Sequence, residues 1–171
     1  MKKLITICLI VAATFTVKAQ DAKPTKEQTL AYLTKTFKLA EGEDHSQKGY
    51  TTKDRYTQLN FDPNLIEMKQ EYYDTNIQQN IFILIKYPNI KWETVSWGGI
   101  DNYSDSGKVA EITLYLDSKV REIYIENNID RGKFQNNVRI PILASKAESF
   151  KKALQRLVEI AKEENKNPFE K

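Results

Sequence analysis

The sequence predicts an α+β fold: an N-terminal helix, an antiparallel meander of six or seven strands in a curled sheet or partly open barrel, and a C-terminal amphipathic helix packed on it. Three observations carry this. Leu30, Leu33, Phe37 and Ala40 recur at helical spacing, as do Phe150, Leu154, Leu157, Val158 and Ala161 towards the other end. Between the two stretches the apolar period changes to two, the spacing of strands. The strands come as one run instead of alternating with helices, which argues for an antiparallel sheet and against a βαβ unit.

The first nineteen residues stand apart. Lys2 and Lys3 make a positive start, Leu4 to Val17 an apolar run of fourteen residues, and Val17-Lys18-Ala19 a small-residue cleavage site. That is the secretory signal pattern, and the run is too short to span a bilayer core of roughly 30 Å. Cleavage is expected between Ala19 and Gln20. Cys8 lies too early in the apolar run for lipid attachment, so the expectation is Sec export to the periplasm or beyond, not a lipoprotein and with no transmembrane anchor.

Residues 20–24 form a polar leader, and 25–164 a single domain. Thr25 reads as an N-cap, with Gln28 completing a capping box, and the helix is expected from Lys26 to Glu41. Gly42 suits the left-handed position after a helix end. Residues 42–53 are polar and read as a loop. Tyr56 to Phe61 and Ile66 to Tyr73 read as strands around Asp62-Pro63-Asn64, where proline presets the first torsion of a type I turn. A turn at Asp74–Asn76 leads to a strand from Ile77 to Tyr87. Its Ile81-Phe82-Ile83-Leu84-Ile85 run has no polar face, so a central strand covered on both sides is expected.

A weaker strand follows from Lys91 to Trp97, broken by Gly98-Gly99. Ala110, Ile112, Leu114 and Leu116 then alternate with polar positions. Ile123 and Ile125 share a face, so a hairpin is expected that pairs Leu114 with Ile123 and Ile112 with Ile125 across Ser118-Lys119. Those turn residues are poor type I′ formers. Residues 127–137 read as a loop, and Val138, Ile140 and Ile142 as the last strand. Ser145 and Glu148 read as the capping box of the closing helix, which runs to about Glu164. Residues 165–171 form a polar tail containing Phe169.

This order, from Tyr56 to Lys162, resembles the pleckstrin-homology-like (PH/GRAM) arrangement, with Phe150-Lys-Lys-Ala153-Leu154-Gln-Arg-Leu157 as the helix that would plug the barrel. The N-terminal helix departs from that pattern. The phosphoinositide binding of many such domains is not implied, because the first hairpin carries no run of lysines and arginines.

Charge and chemistry narrow the function classes. The chain has 26 basic and 23 acidic residues. Residues 1–19 hold three lysines and no acid, so the remaining 152 residues carry 23 of each and no net charge. A nucleic-acid partner is therefore not expected. Loss of Cys8 leaves no cysteine, which removes disulfides, thiol nucleophiles and zinc–thiolate sites. The single histidine, His45, lies among Glu41, Glu43 and Asp44 and reads as a solvated loop residue, with weak metal contact as the alternative. Asp101 to Gly107 invites a calcium reading, but the EF-hand spacing puts Tyr103 at position three and Ile112 at twelve. A turn explains it better. No phosphate-cradling or dinucleotide motif is present, and no cofactor is expected.

Aromatics are the remaining lead. Trp92, Trp97 and Tyr103 cluster around Gly98-Gly99 and are the candidate ligand-binding residues, since an exposed aromatic can stack on a sugar ring or anchor a protein partner. The alternative packs both tryptophans against the helices. The expected function is thus an exported, non-catalytic binding module for a glycan, an envelope component or a protein. A small carboxylate-dependent envelope hydrolase and a structural or assembly protein are the alternatives.

Overall fold

The computed structural model describes residues 23–46, 54–101, 106–126 and 128–166. It is α+β: two helices and eight antiparallel strands in two sheets, with no closed barrel among these residues. The apolar run, the cleavage site, the leader up to Ala22, Tyr103 and Phe169 lie outside the described residues.

Helix α1 (Lys26–Phe37) starts at the expected capping box: Thr25 Oγ1 accepts the Gln28 amide at 3.3 Å and Gln28 Oε1 accepts the Thr25 amide at 3.0 Å. It ends earlier than expected, passing into a 3-10 turn at Lys38–Ala40. Phe37, the last α-helical residue, and Ala40, the last of that tighter turn, are both fully buried. Gly42 then takes the expected left-handed conformation, φ 78°.

Strands β1 (Asp54–Asp62), β2 (Leu65–Asp74) and β3 (Gln79–Pro88) follow as two hairpins. Asp62 Oδ1 accepts the Asn64 amide at 2.8 Å, closing the Pro63-Asn64 turn. The next turn is longer than expected. Ile77 lies in it, 54% exposed, and Gln78 takes φ 53° before β3 begins.

The chain then leaves this sheet. Trp92–Thr94 form a 3-10 turn, not a strand, and β4 (Ser96–Asp101) continues through the two glycines, where its register shifts between Trp97 and Ile100. A Cβ at position 98 would lie 2.8 Å from the Thr113 carbonyl oxygen, so Gly98 is there for close approach to the next strand. Strand β5 (Val109–Arg121) pairs with β4 and with β8 (Phe134–Leu143), while β6 (Ile123–Glu126) pairs with β3 and with the two-residue β7 (Ile129–Asp130).

The expected hairpin between Leu114 and Ile123 is therefore corrected. Leu114 faces Val138, Ile112 faces Ile140 and Ala110 faces Ile142, while Ile123 and Ile125 face Lys86 and Leu84 of β3. The apolar alternation of β5 matches β8 as well as it matches β6. No tight-turn former stands at Ser118-Lys119 to fold the chain back. Instead β5 bulges there, its register with β8 shifting between Tyr115 and Val120. Part of the expected 127–137 loop is strand for the same reason.

The sheets are ordered β1-β2-β3-β6-β7 and β4-β5-β8. β3 is central, as expected, but covered on one face only: Ile81, Ile83 and Tyr87 are buried, whereas Phe82 is 62% exposed. On that open face Phe82 and Leu84 neighbour Glu71 and Lys69 of β2.

Helix α2 (Ala147–Glu164) follows a 3-10 turn that contains Ser145. Ser145 is thus not its cap. Lys146 occupies that position without a side-chain bond, and the Ser149 hydroxyl donates to the Lys146 carbonyl at 3.0 Å. Phe150, Leu154, Leu157 and Val158 are buried as the periodicity implies. Phe150 stacks on Phe37 (centroids 6.2 Å) and meets Phe61 edge-on (6.2 Å), and Phe61 reaches Trp92 at 5.8 Å. This aromatic cluster joins α1, β1, α2 and the Trp92 turn. The outer edge of β1 is closed by side chains, Glu41 accepting the Leu59 amide at 2.6 Å and Thr34 donating to the Phe61 carbonyl at 3.0 Å. Such caps remove sites where a second chain would add a strand. Among the described residues no helix is long and apolar enough to cross a membrane.

Candidate functional site: a cleft beside the first hairpin

The segment after α1 folds back along the start of β1. The Gly42 amide donates to the Tyr56 carbonyl at 2.8 Å and the His45 amide to the Asp54 carbonyl at 2.7 Å, with Asp44 bridged to Arg55. Asp44 Oδ1 accepts the Ser46 amide at 2.9 Å and the Ser46 hydroxyl at 2.5 Å, and the same hydroxyl accepts the Asp54 amide at 3.0 Å. These contacts make a short hydrogen-bonded wall from residues 42–46, the start of a stretch whose sequence reads as polar loop.

His45 is the pin of this wall, and the expectation of a solvated histidine is corrected. It is 5% exposed, its ring 4.7 Å from that of Tyr56, with Nε2 3.2 Å from the Tyr56 oxygen. Burial lowers its pKa to about 4, only partly offset by Asp44. Burial, with Glu111 and Asp54 nearby, raises the Tyr56 hydroxyl. At neutral pH a protonated phenol thus meets an uncharged imidazole, a hydrogen bond in which the imidazole tautomer sets which group donates. Among the described residues no group of three or more His, Cys, Asp or Glu is placed to hold a metal.

In front of the wall lies an open cleft of about 710 Å³, lined by Gly42, Asp44, Asp54, Arg55, Glu71, Tyr73, Thr75 and Asn80. Its size falls among small-molecule clefts. Strand register assembles it: Arg55 opposes Glu71 across β1–β2, and Tyr73 opposes Asn80 across β2–β3. Arg55 Nε and Nη2 both donate to Glu71 Oε2, at 3.0 and 2.7 Å. The guanidinium is thereby oriented, while its exposed side keeps donors for a ligand. Tyr73 is 40% exposed beside this pair. The cleft thus offers an aromatic face, oriented donors and carboxylate acceptors together.

The sequence-predicted residues lie elsewhere. Trp92 is 5% exposed, and its indole N–H donates to the Pro63 carbonyl at 2.7 Å, so it is a core residue that anchors the first hairpin turn. Trp97 is half-buried on β4 opposite Leu114 and packs against the core. Tyr103 lies outside the described residues. No local motif marks Arg55, Tyr73 and Asn80, since three strands contribute them. The one sequence signal was alternation in β2, which places Glu71 and Tyr73 on a common face.

No protein-family model, no curated protein and no solved structure matches the chain.

Proposed function

We propose that the chain is an exported, non-catalytic binding module that takes a hydroxyl-rich ligand of the carbohydrate class in the cleft beside the first hairpin. The observation that carries this reading is the exposed Tyr73 next to the oriented Arg55–Glu71 pair, with Thr75 and Asn80 in the same cleft. A sugar ring presents a C–H face and a rim of hydroxyls. The tyrosine ring suits the face, and the charged and amide groups suit the rim. Export is supported by the Lys2–Ala19 pattern. A hydrolase would need one carboxyl poised to hold a proton. In this cleft Glu71 accepts from Arg55 and Asp44 accepts from Ser46.

The test is a thermal-shift screen of soluble oligosaccharides and peptidoglycan fragments. A ligand at a hundredfold excess over its Kd stabilises by about 2.7 kcal/mol, which raises Tm by roughly 5–11 °C for a domain of this size. Tyr73→Ala is expected to keep its own Tm and lose the ligand's effect. A panel without any shift, or turnover of the bound saccharide, overturns the reading.

A further inference from the structure

A second hollow lies at the opposite end of β3. It measures about 220 Å³ and is lined by Pro88, Asn89, Lys91, Thr94, Leu116, Ser118, Lys119, Val120 and Arg121. Eight residues of strand separate Asn80 in the cleft from Pro88 here, roughly 26 Å at about 3.3 Å per residue. We propose that this hollow is a binding site for a small dianionic oxyanion, a phosphate or sulfate group, independent of the cleft.

Three cations converge on the hollow, and no carboxylate lines it. Lys91 and Lys119 form no ion pair with any described residue, and of the three only Arg121 is paired, its Nη2 2.6 Å from Asp130 Oδ2. Like charges gathered round one concavity repel, and a bound anion converts that repulsion into attraction. Local geometry is specialised as well. The bulge that shifts register between Tyr115 and Val120 interrupts the β5–β8 ladder where Ser118 and Lys119 sit, and bulges commonly re-aim side chains beside functional sites. Across the hollow Asn89 takes φ 55°, its amide tied to the Asn64 carbonyl at 2.8 Å, and Lys91, two residues on, lines the same hollow as the bulge residues.

Size and charge select the ligand class. The hollow is below the roughly 300 Å³ at which clefts for whole small molecules begin, so it takes a group, not an extended ligand. A lone carboxylate is matched by one guanidinium. Two further lysines match the second negative charge of a phosphate or sulfate. The anion has two possible sources, the free inorganic ion or a phosphate monoester at the end of a larger molecule, since a sulfate monoester carries a single charge.

The experiment titrates the purified isotope-labelled protein with sodium phosphate at constant ionic strength, following backbone amide resonances. Saturable shifts are expected at Asn89, Lys91, Ser118, Lys119 and Arg121, with Arg55, Tyr73 and Asn80 unmoved. Lys91→Gln combined with Lys119→Gln is expected to weaken binding at least tenfold at unchanged Tm, since both side chains are exposed. Methyl phosphate in a parallel titration separates the sources. Tighter binding than inorganic phosphate identifies a monoester terminus, weaker or equal binding the free ion, and either upholds the site. Non-saturating shifts equal to those of sodium acetate, or undiminished binding in the double variant, overturn it. Neither result bears on saccharide binding in the cleft.

Discussion

Acidification tests the His45–Tyr56 pair directly. The folded pKa of about 4 lies below the roughly 6.5 of an unfolded histidine. Between those values the unfolded chain binds a proton that the folded chain refuses. The pair's contribution is therefore complete above pH 6.5 and is lost as pH falls towards 4. The slope approaches about 1.4 kcal/mol per pH unit, and integration from pH 7 to pH 5 gives a loss of about 2 kcal/mol. His45 is the chain's single histidine, so no second imidazole titrates in this window. The Gly132 amide holds Asp130 below its ordinary value, the helix-start amide does the same for Glu27, and Lys23 for Glu159. These carboxylates lose their contributions chiefly below pH 5. The assay is urea unfolding at pH 7, 6 and 5 for the wild-type protein and His45→Gln. The wild type is expected to lose about 2 kcal/mol, or roughly 4–8 °C in Tm, and the variant to be nearly flat. A wild-type curve flat over this range, or a variant with the wild-type slope, refutes the buried neutral histidine.

Two substitutions probe the framework that holds both candidate sites. Phe150→Ala empties the centre of the aromatic cluster and is expected to cost about 3–5 kcal/mol, a Tm fall of roughly 6–20 °C by calorimetry; a change under about 1 kcal/mol would mean that α2 does not depend on this contact. Gly98→Ala drives a methyl group against the Thr113 backbone, so denaturant unfolding is expected to show a loss of about 1–3 kcal/mol. Wild-type stability there would deny the close approach of β4 to β5.

What the sequence determined by itself is local and periodic. The Thr25–Gln28 box, the left-handed Gly42, the Pro63-Asn64 turn and the buried stripes of both helices follow from patterns a few residues long. So does the α+β class, because period and order are one-dimensional properties. Partner choice is not. The Ala110–Leu116 alternation is compatible with β6 and with β8, and only the packing of Ile112 and Leu114 against Ile140 and Val138 selects β8. Burial of a polar residue is likewise decided late: His45 sits in a run of charges, yet backbone pairing to Asp54 and the Tyr56 ring enclose it. For Trp92 the sequence left a ligand-binding and a core reading open, and the structure takes the core one, with its N–H bonded to the Pro63 carbonyl. The cleft is wholly tertiary. Arg55, Glu71, Tyr73 and Asn80 meet through strand register, which depends on contacts far apart in the chain and leaves no spacing to read beforehand.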